Sequence, residues 1–169
     1  MQTMDISKTY ILTNNLTGSD YAFGIVFNDT APVMDSTARL ISNDHWFLTQ
    51  TKLASYYRMH ILPKGRPFAF DVISSNGRNS GMLYMGTTND QYPGQYWRFD
   101  KWANGGGYRL SNNFAGSDMH LDIRSDTLEP YLAAGDYLGQ HWTPTPTTLS
   151  SGLIAGIVIG SVVALEVLL

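Results

Sequence analysis

The chain has no cysteine, few charges and no basic cluster, and each of these absences excludes a class of function. Without cysteine there are neither disulfides nor thiolate metal sites. Only 15% of the residues are charged, and the formal net charge of -3 comes from scattered signs. Nucleic acid is therefore not an expected partner. Residues 1–7 lack the basic and apolar segments of a secretory signal peptide.

Motifs typical of enzymes are also missing. There is no Gly-x-Ser-x-Gly elbow, no His-Glu-x-x-His helix and no Walker loop. The four histidines, His45, His60, His120 and His141, do not have metal-ligand spacing. We therefore expect a protein that is not an enzyme and that carries no metal and no cofactor.

What the chain does contain is one block of sequence that occurs three times. Each copy opens with an aromatic strand-like segment and closes on a tryptophan. These tryptophans are Trp46, Trp97 and Trp142, which lie 51 and 45 residues apart. We expect them in the core, because large aromatic residues at equivalent positions usually fill the interior. A repeat of this period indicates a closed object built from equivalent units.

Each copy is made of short alternating segments, and no window before residue 149 has the period of an amphipathic helix. Four strands in each of three copies predict about twelve strands. The copies span about 8–52, 53–103 and 104–145. In the third copy the predicted strands are 108–112, 119–123, 131–134 and 141–143, with a turn at 114–118.

These features resemble a ricin B-type lectin domain, a family with a β-trefoil fold. The resemblance rests on the Gln-x-Trp (QxW) closures, the Leu-Asp-Ile and Phe-Asp-Val steps and the tripled period, and it covers about residues 8–145. The Gly-Gln-x-Trp variant without cysteines is similar to the fungal members. The resemblance implies an all-β fold, a β-trefoil of three four-stranded repeats. It also implies that this domain binds glycans or glycoconjugates and catalyses no reaction on them.

The same resemblance implies two carbohydrate sites. Sugar recognition uses a flat aromatic face and a few fixed polar groups, and a carboxylate can accept from two adjacent hydroxyls. In the family an Asp reads the hydroxyls, an aromatic residue forms the platform and a Gln orients the Asp. The corresponding residues are Asp71, Tyr84 and Gln95 in copy two and Asp122, Tyr131 and Gln140 in copy three. The family also has an Asn before the Gln, and here Gly94 and Gly139 stand in its place.

Each of these residues also has a purely structural explanation. Asp71 and Asp122 could serve as strand-end or turn acceptors. The two glutamines could satisfy buried main-chain groups, and the two tyrosines could be ordinary half-exposed strand residues. A trefoil that had lost its sugar sites would act instead as a protein-interaction or inhibitory scaffold, and this is the alternative function.

Copy one departs from the other two. Gly24 stands where the Asp is expected, and Asp44 stands where the Gln is expected. Both partners of the proposed pair are changed together. We therefore expect copy one to be structural and to bind no sugar.

The C-terminal segment differs in character from the rest. Residues 150–169 are mostly apolar, have Glu166 as their only charge and are just long enough for a transmembrane helix. Their glycines share one helix face, which favours helix-mediated self-association. The alternative is a buried helix of the globular domain, for which several glycines are unfavourable. The glycines on this face are Gly152, Gly156 and Gly160.

The segment 143–149 is rich in threonine and proline and predicts an extended linker. Together with the missing signal peptide, the apolar tail predicts a single-pass membrane protein whose lectin-like domain is cytosolic.

Overall fold

Twelve β-strands make up about half of the part of the chain that the structure describes, and each sequence copy contributes four. The computed structural model describes residues 3–26, 29–40, 43–73, 81–103 and 106–148. The helical elements are one short helix and two 3₁₀ turns, α1 Thr37–Leu40, Pro93–Gln95 and Leu138–Gln140. The strands are β1 Thr9–Asn14, β2 Tyr21–Ile25, β3 Pro32–Ser36, β4 His45–Gln50, β5 Tyr57–Ile61, β6 Phe68–Val72, β7 Leu83–Thr87, β8 Trp97–Lys101, β9 Tyr108–Asn112, β10 Gly116–Ile123, β11 Pro130–Ala133 and β12 Trp142–Thr147.

Six of these strands close into a barrel, and the other six form three hairpins. The barrel order is β9-β12-β1-β4-β5-β8, and β8 pairs back onto β9. The hairpins are β2–β3, β6–β7 and β10–β11. Each copy therefore supplies two barrel strands and one hairpin. Every strand of the barrel thus has a neighbour on each side, although β12 pairs with β9 and β5 pairs with β8 at only one residue pair each.

The barrel closes through the pairing of β1 with β12, in a register that runs from Thr9 opposite Thr147 to Asn14 opposite Trp142. The linker predicted over 143–149 is therefore wrong for residues 143–147, which are part of a strand. Pro144 and Pro146 are compatible with this strand because amides two residues apart point to the same side. The nitrogens of both prolines can therefore point away from β1. On that side of β12 the neighbouring strand β9 pairs only with Trp142, so no hydrogen bond from residues 144 and 146 is required.

The three repeated tryptophans fill the core, as predicted. Each is fully buried, and each indole N–H donates to a main-chain carbonyl of its own copy. The acceptors belong to Phe23, Phe70 and Leu121, at 2.6, 2.9 and 2.9 Å. In copies one and two the ring also stacks on that phenylalanine, with ring centroids 5.0 and 4.5 Å apart. Truncation of a core aromatic of this kind costs about 3–5 kcal/mol.

The turn predicted at 114–118 is shorter than expected. Residues from Gly116 onward already belong to β10, and Gly116 lies opposite Asn112. Gly116 has a φ of 96°, which other residues rarely adopt, and the register shifts between Gly116 and His120. The stretch that resembles a turn in the sequence is therefore this bulge at the start of β10.

The predicted membrane helix at 150–169 and its glycine face lie outside the described residues. Within those residues, no helix combines the length and apolar character needed to cross a bilayer.

Candidate functional site

The three residues predicted for copy two come together at the β6–β7 hairpin. Asp71 lies directly opposite Tyr84 across the two strands. The Tyr84 hydroxyl donates to Oδ2 of Asp71 at 3.2 Å, and Nε2 of Gln95 donates to the same oxygen at 3.0 Å. The carboxylate is therefore held between an aromatic hydroxyl and a side-chain amide.

Copy three repeats this arrangement with its own residues. Asp122 lies opposite Tyr131 in the β10–β11 hairpin. The Tyr131 hydroxyl donates to Oδ2 of Asp122 at 3.3 Å, and Nε2 of Gln140 donates to it at 3.1 Å. The structure thus assembles both predicted sets of three residues with the same geometry.

The glutamines also bond to the end of the strand that contains each tyrosine. Gln95 donates from Nε2 to Thr87 O at 2.8 Å, and its Oε1 accepts from the Asn89 N–H at 3.0 Å. Gln140 donates to Ala133 O at 3.4 Å, but its buried Oε1 has no partner among the described residues. The loop before Gln140 is one residue shorter than the loop before Gln95 and has no asparagine.

Both carboxylates are well enclosed, since Asp71 and Asp122 are each only 2% exposed. Oδ1 of Asp122 accepts the N–H of Ile123 at 2.7 Å, so three of about four acceptor positions are used by the chain. Burial raises the pKa of Asp71, although bonds from Gln95, Tyr84 and the Val72 N–H oppose the shift. Only the remaining position is therefore open to a ligand, unless the ligand replaces the tyrosine hydroxyl.

The tyrosine hydroxyls remain protonated donors over the physiological pH range. Burial, followed by the negative charge of Asp71, raises the pKa of Tyr84 to about 12. Burial and the charge of Asp122 raise the pKa of Tyr131 in the same direction. Each phenol thus offers its aspartate a proton that a ligand hydroxyl can equally supply.

Sequence reasoning missed a second tyrosine beside each site. Tyr92 and Tyr137 directly precede the two 3₁₀ turns and are 44% and 60% exposed. After burial and the neighbouring aspartate, Tyr92 contributes to the raised pKa of Tyr84 and Tyr137 to the raised pKa of Tyr131, so each exposed residue lies within electrostatic range of its partner. The signal was present in the sequence, because both copies read Tyr-x-Gly-Gln-x-Trp, whereas copy one has Ile41 at the tyrosine position.

The glycine that precedes each glutamine is required by the aspartate. A β-carbon on Gly139 would collide with Oδ1 of Asp122, and one on Gly94 would collide with Oδ1 of Asp71. The main-chain oxygens of Val72 and Ile123 would collide with the same β-carbons. The asparagine that the resembled family has here therefore does not fit unless both the carboxylate and the main chain of the hairpin strand move.

The carbonyl groups of these glycines are held by the next copy in space. Gly94 O accepts from Nδ2 of Asn112 at 2.7 Å, and Gly139 O accepts from Nδ2 of Asn14 at 2.6 Å. Each candidate site is therefore fixed to the neighbouring repeat.

Copy one has a different arrangement at the positions of the aspartate and the glutamine. Gly24 has no side chain at the aspartate position, and the carbonyl of Asn43 accepts the Ile25 N–H at 3.0 Å in place of a carboxylate. Asp44, at the glutamine position, bonds instead to Nδ1 of His45 at 2.8 Å. Copy one thus has no counterpart of the Asp–Tyr–Gln set, and its inability to bind sugar stays a prediction.

Comparisons with known proteins give the fold but not a family. No family model matches the chain, and no curated protein matches it in sequence. Among solved structures, the BEL β-trefoil has a TM-score of 0.68 at 14% identity, with 86% of this chain and 97% of that chain covered. The chain is a β-trefoil.

Other β-trefoil neighbours come from carbohydrate-binding and toxin proteins. A Polyporus squamosus lectin, solved with a human-type influenza-binding epitope, has a TM-score of 0.66 at 12% identity, with coverage of 86% and 50%. A mosquitocidal holotoxin has a TM-score of 0.70 at 14% identity, covering 88% of this chain. The chain spans 18–38% of the holotoxin and of two other large proteins that it matches. The expected ricin B-type, lectin-like β-trefoil is therefore supported as a fold.

Proposed function

We propose that this β-trefoil is a carbohydrate-binding module with one glycan site in copy two and one in copy three. The observation that carries the proposal is the duplicated Asp–Tyr–Gln arrangement, in which the same hydrogen bonds recur on two hairpins. An exposed tyrosine stands beside each arrangement. A neighbour of the same fold is a lectin solved with a glycan epitope, which supports the proposal at the level of fold.

Recognition would occur by exchange of one hydroxyl for another. A sugar hydroxyl takes the place of the Tyr84 hydroxyl at Oδ2 of Asp71, while Gln95 keeps the carboxylate oriented. The freed Tyr84 ring and the exposed Tyr92 ring then pack on the C–H face of the sugar. Copy three would act in the same way through Asp122, and two weak sites on one domain would bind a multivalent glycan surface by avidity.

The proposal is tested by a glycan array on the full chain. Asp71→Asn and Asp122→Asn keep the shape of each side chain but remove its charge, and Asp35→Asn in copy one is the matched control. We expect each site variant to weaken binding about tenfold and the double variant to abolish it, because a charge-assisted bond is lost. A wild-type chain that binds no glycan would refute the proposal.

A second function is favoured by one specific observation, the near-complete burial of both carboxylates, most of whose acceptor positions are already used by the chain. In this alternative the trefoil is an interaction or inhibitory scaffold, and the exposed apolar groups beside the sites contact another protein. Tyr137 and Leu138 are about 60% exposed and form the largest such pair. A photo-crosslinker at position 137 that captures a defined protein, combined with a blank glycan array, would support this function.

Membrane attachment through 150–169, with the trefoil on the cytosolic side, is a further proposal that rests on the sequence alone. Removal of these residues should release the protein from the membrane fraction. Protease treatment of sealed vesicles should digest the trefoil only if it lies on the exposed face.

A further inference from the structure

The two candidate sites differ at one position that borders the tyrosine. Arg124 directly follows β10, and Ile73 directly follows β6. Their main chains pair in the same way, because the Arg124 N–H donates to Glu129 O at 3.0 Å and the Ile73 N–H donates to Met82 O at 2.9 Å. The positions are therefore equivalent, and copy three has a cation where copy two has an aliphatic side chain.

The Arg124 guanidinium lies over the ring of Tyr131. Its Cζ is 4.3 Å from the ring centroid, which is cation–π distance. The side chain is exposed, and its N–H groups make no hydrogen bond or ion pair with any described residue. Glu129, which lies across the strands, does not reach it within ion-pair distance. The donors of Arg124 are thus available to a ligand at the edge of the site.

The Tyr84 ring in copy two is not covered in this way by any cation of the described residues. One side of this ring lies against Gly86, since a β-carbon there would be 3.0 Å from Cε2 and Cζ of Tyr84. The half-buried Ile73 lies two residues beyond Asp71 and so shares the strand face of Asp71, which lies opposite Tyr84. Copy two therefore offers a tyrosine face without charge, and copy three offers one that a guanidinium occupies.

We propose that Arg124 makes the copy-three site selective for saccharides that bear a carboxylate, such as uronic acids, whereas the copy-two site takes neutral saccharides. This inference rests on the proposed glycan binding. A neutral ring that stacks on Tyr131 must displace the guanidinium and gains nothing in return. A carboxylate can instead form a bidentate, charge-assisted pair with Arg124, for which the planar guanidinium is suited.

The nearby acidic groups define how strong the selectivity can be. Asp126 accepts the N–H of Thr127 at 2.9 Å, and Asp136 bonds to His141 at 2.9 Å, so both are engaged. Glu129 is exposed and opposes an incoming anion. Glu129→Gln should therefore strengthen the preference for acidic saccharides.

The experiment is an NMR titration of the full chain in a neutral detergent. The probes are methyl galactoside against methyl galacturonate and methyl glucoside against methyl glucuronate, at constant ionic strength. The Ile123 amide, bonded to Asp122, reports copy three, and the Val72 amide reports copy two. The variants are Arg124→Ile and Ile73→Arg, which exchange the two sites, and Arg39→Ile is the control with the same change in charge.

We expect Arg124→Ile to weaken uronate binding at copy three by about threefold to tenfold and to improve neutral binding slightly. Ile73→Arg should create a uronate preference at copy two, and Arg39→Ile should change neither site. If saccharides bind at copy three but Arg124→Ile leaves the uronate-to-neutral ratio within about twofold, the inference is wrong and the proposed function stands. If neither reporter amide shifts with any probe, both the inference about Arg124 and the proposed glycan binding are wrong.

Discussion

The β-carbon that Gly24 lacks would fall on the carbonyl oxygen of Asn43. In the other two copies the glycine is on the opposite partner, where Gly94 faces Asp71 and Gly139 faces Asp122. Each repeat therefore has a glycine on one side of this contact between the hairpin strand and the QxW segment, on the strand in copy one and before the glutamine in copies two and three. A β-carbon on any of these glycines would collide with main-chain atoms of the opposite segment, and in copies two and three it would also collide with the aspartate.

This close contact predicts that Gly139→Ala destabilises the fold and disturbs the copy-three site. The new methyl group collides with Oδ1 of Asp122 and lies 2.8 Å from Ile123 O. Overpacking of this kind costs about 1–3 kcal/mol. Urea unfolding of wild type and variant measures the loss, and Gly139 does not have a positive φ, so the loss reports the collision rather than backbone strain. A Gly139→Ala variant as stable as wild type would contradict the close contact.

Tyr84→Phe and Tyr84→Ala should distinguish what the hydroxyl of Tyr84 contributes to stability and glycan affinity from what its ring contributes. The phenylalanine variant removes one donor to Asp71 and should cost about 1 kcal/mol of stability. It should keep glycan affinity within about threefold, because a sugar hydroxyl supplies the missing bond. The alanine variant removes the stacking face and should lose about tenfold in affinity. Equal losses in both variants, measured on the same glycan, would speak against hydroxyl exchange.

Tyr92→Ala and Tyr137→Ala should reduce glycan affinity with little effect on stability. Both rings are exposed, so their truncation changes the free energy of unfolding by less than about 0.5 kcal/mol. Loss of a stacking partner should nevertheless weaken binding about threefold to tenfold at the site concerned. The thermal midpoint and the glycan titration are measured on the same samples. Unchanged affinity would remove both tyrosines from the site.

The buried His60 should make the protein less stable as the pH falls. Nδ1 of His60 donates to Phe68 O at 2.7 Å, so Nε2 accepts from the Thr49 hydroxyl at 2.8 Å and the ring is neutral. Burial lowers the pKa of His60 from 6.5 to about 4. The unfolded chain then binds a proton more readily than the folded chain, and stability is lost between about pH 6.5 and 4, by up to about 3 kcal/mol.

Urea midpoints of wild type and His60→Gln between pH 7.5 and 4 test this dependence. The difference between the two midpoints at each pH gives the contribution of His60 alone. Asp71 contributes equally to both proteins, and because its pKa is raised it acts in the opposite sense, with stability lost as the pH rises through that pKa. Parallel pH profiles for the two proteins would show that His60 does not carry the effect.

Thr145→Pro should break the β1–β12 pairing that closes the barrel, whereas Pro144→Thr should be tolerated. In β12 the donors that face β1 belong to residues 143, 145 and 147, since the prolines at 144 and 146 have none. A proline at 145 leaves an acceptor of β1 unpaired at a cost of about 1–3 kcal/mol or more. Thermal unfolding of the two variants should therefore differ clearly, and equal midpoints would disprove this alternation.

The elements that recur in the sequence were predictable, because repetition averages out local ambiguity. The Asp–Tyr–Gln sets were identified by the resemblance to the ricin B-type family, and the tryptophans and the number of strands were identified by their equivalent positions. The two exposed tyrosines could have been found in the same way, since Tyr92 and Tyr137 share a motif.

Features that depend on three-dimensional contact could not be predicted. The alternating prolines of β12 resemble a linker until β1 is placed beside them. The role of Gly94 and Gly139 emerges only when the carboxylates are seen to fill the space of a β-carbon. The cation over Tyr131 likewise requires the geometry of Arg124.

The pairing of β1 with β12 has a consequence for biosynthesis. The side chains of Thr9 and Thr147 meet at 2.6 Å although 138 residues separate them in sequence. During translation at about 5–20 residues per second, one edge of β1 stays unpaired for on the order of ten seconds. A long-range contact of this kind slows folding, and an open strand edge invites pairing with other chains. The nascent protein is therefore most vulnerable to aggregation just before its last barrel strand leaves the ribosome.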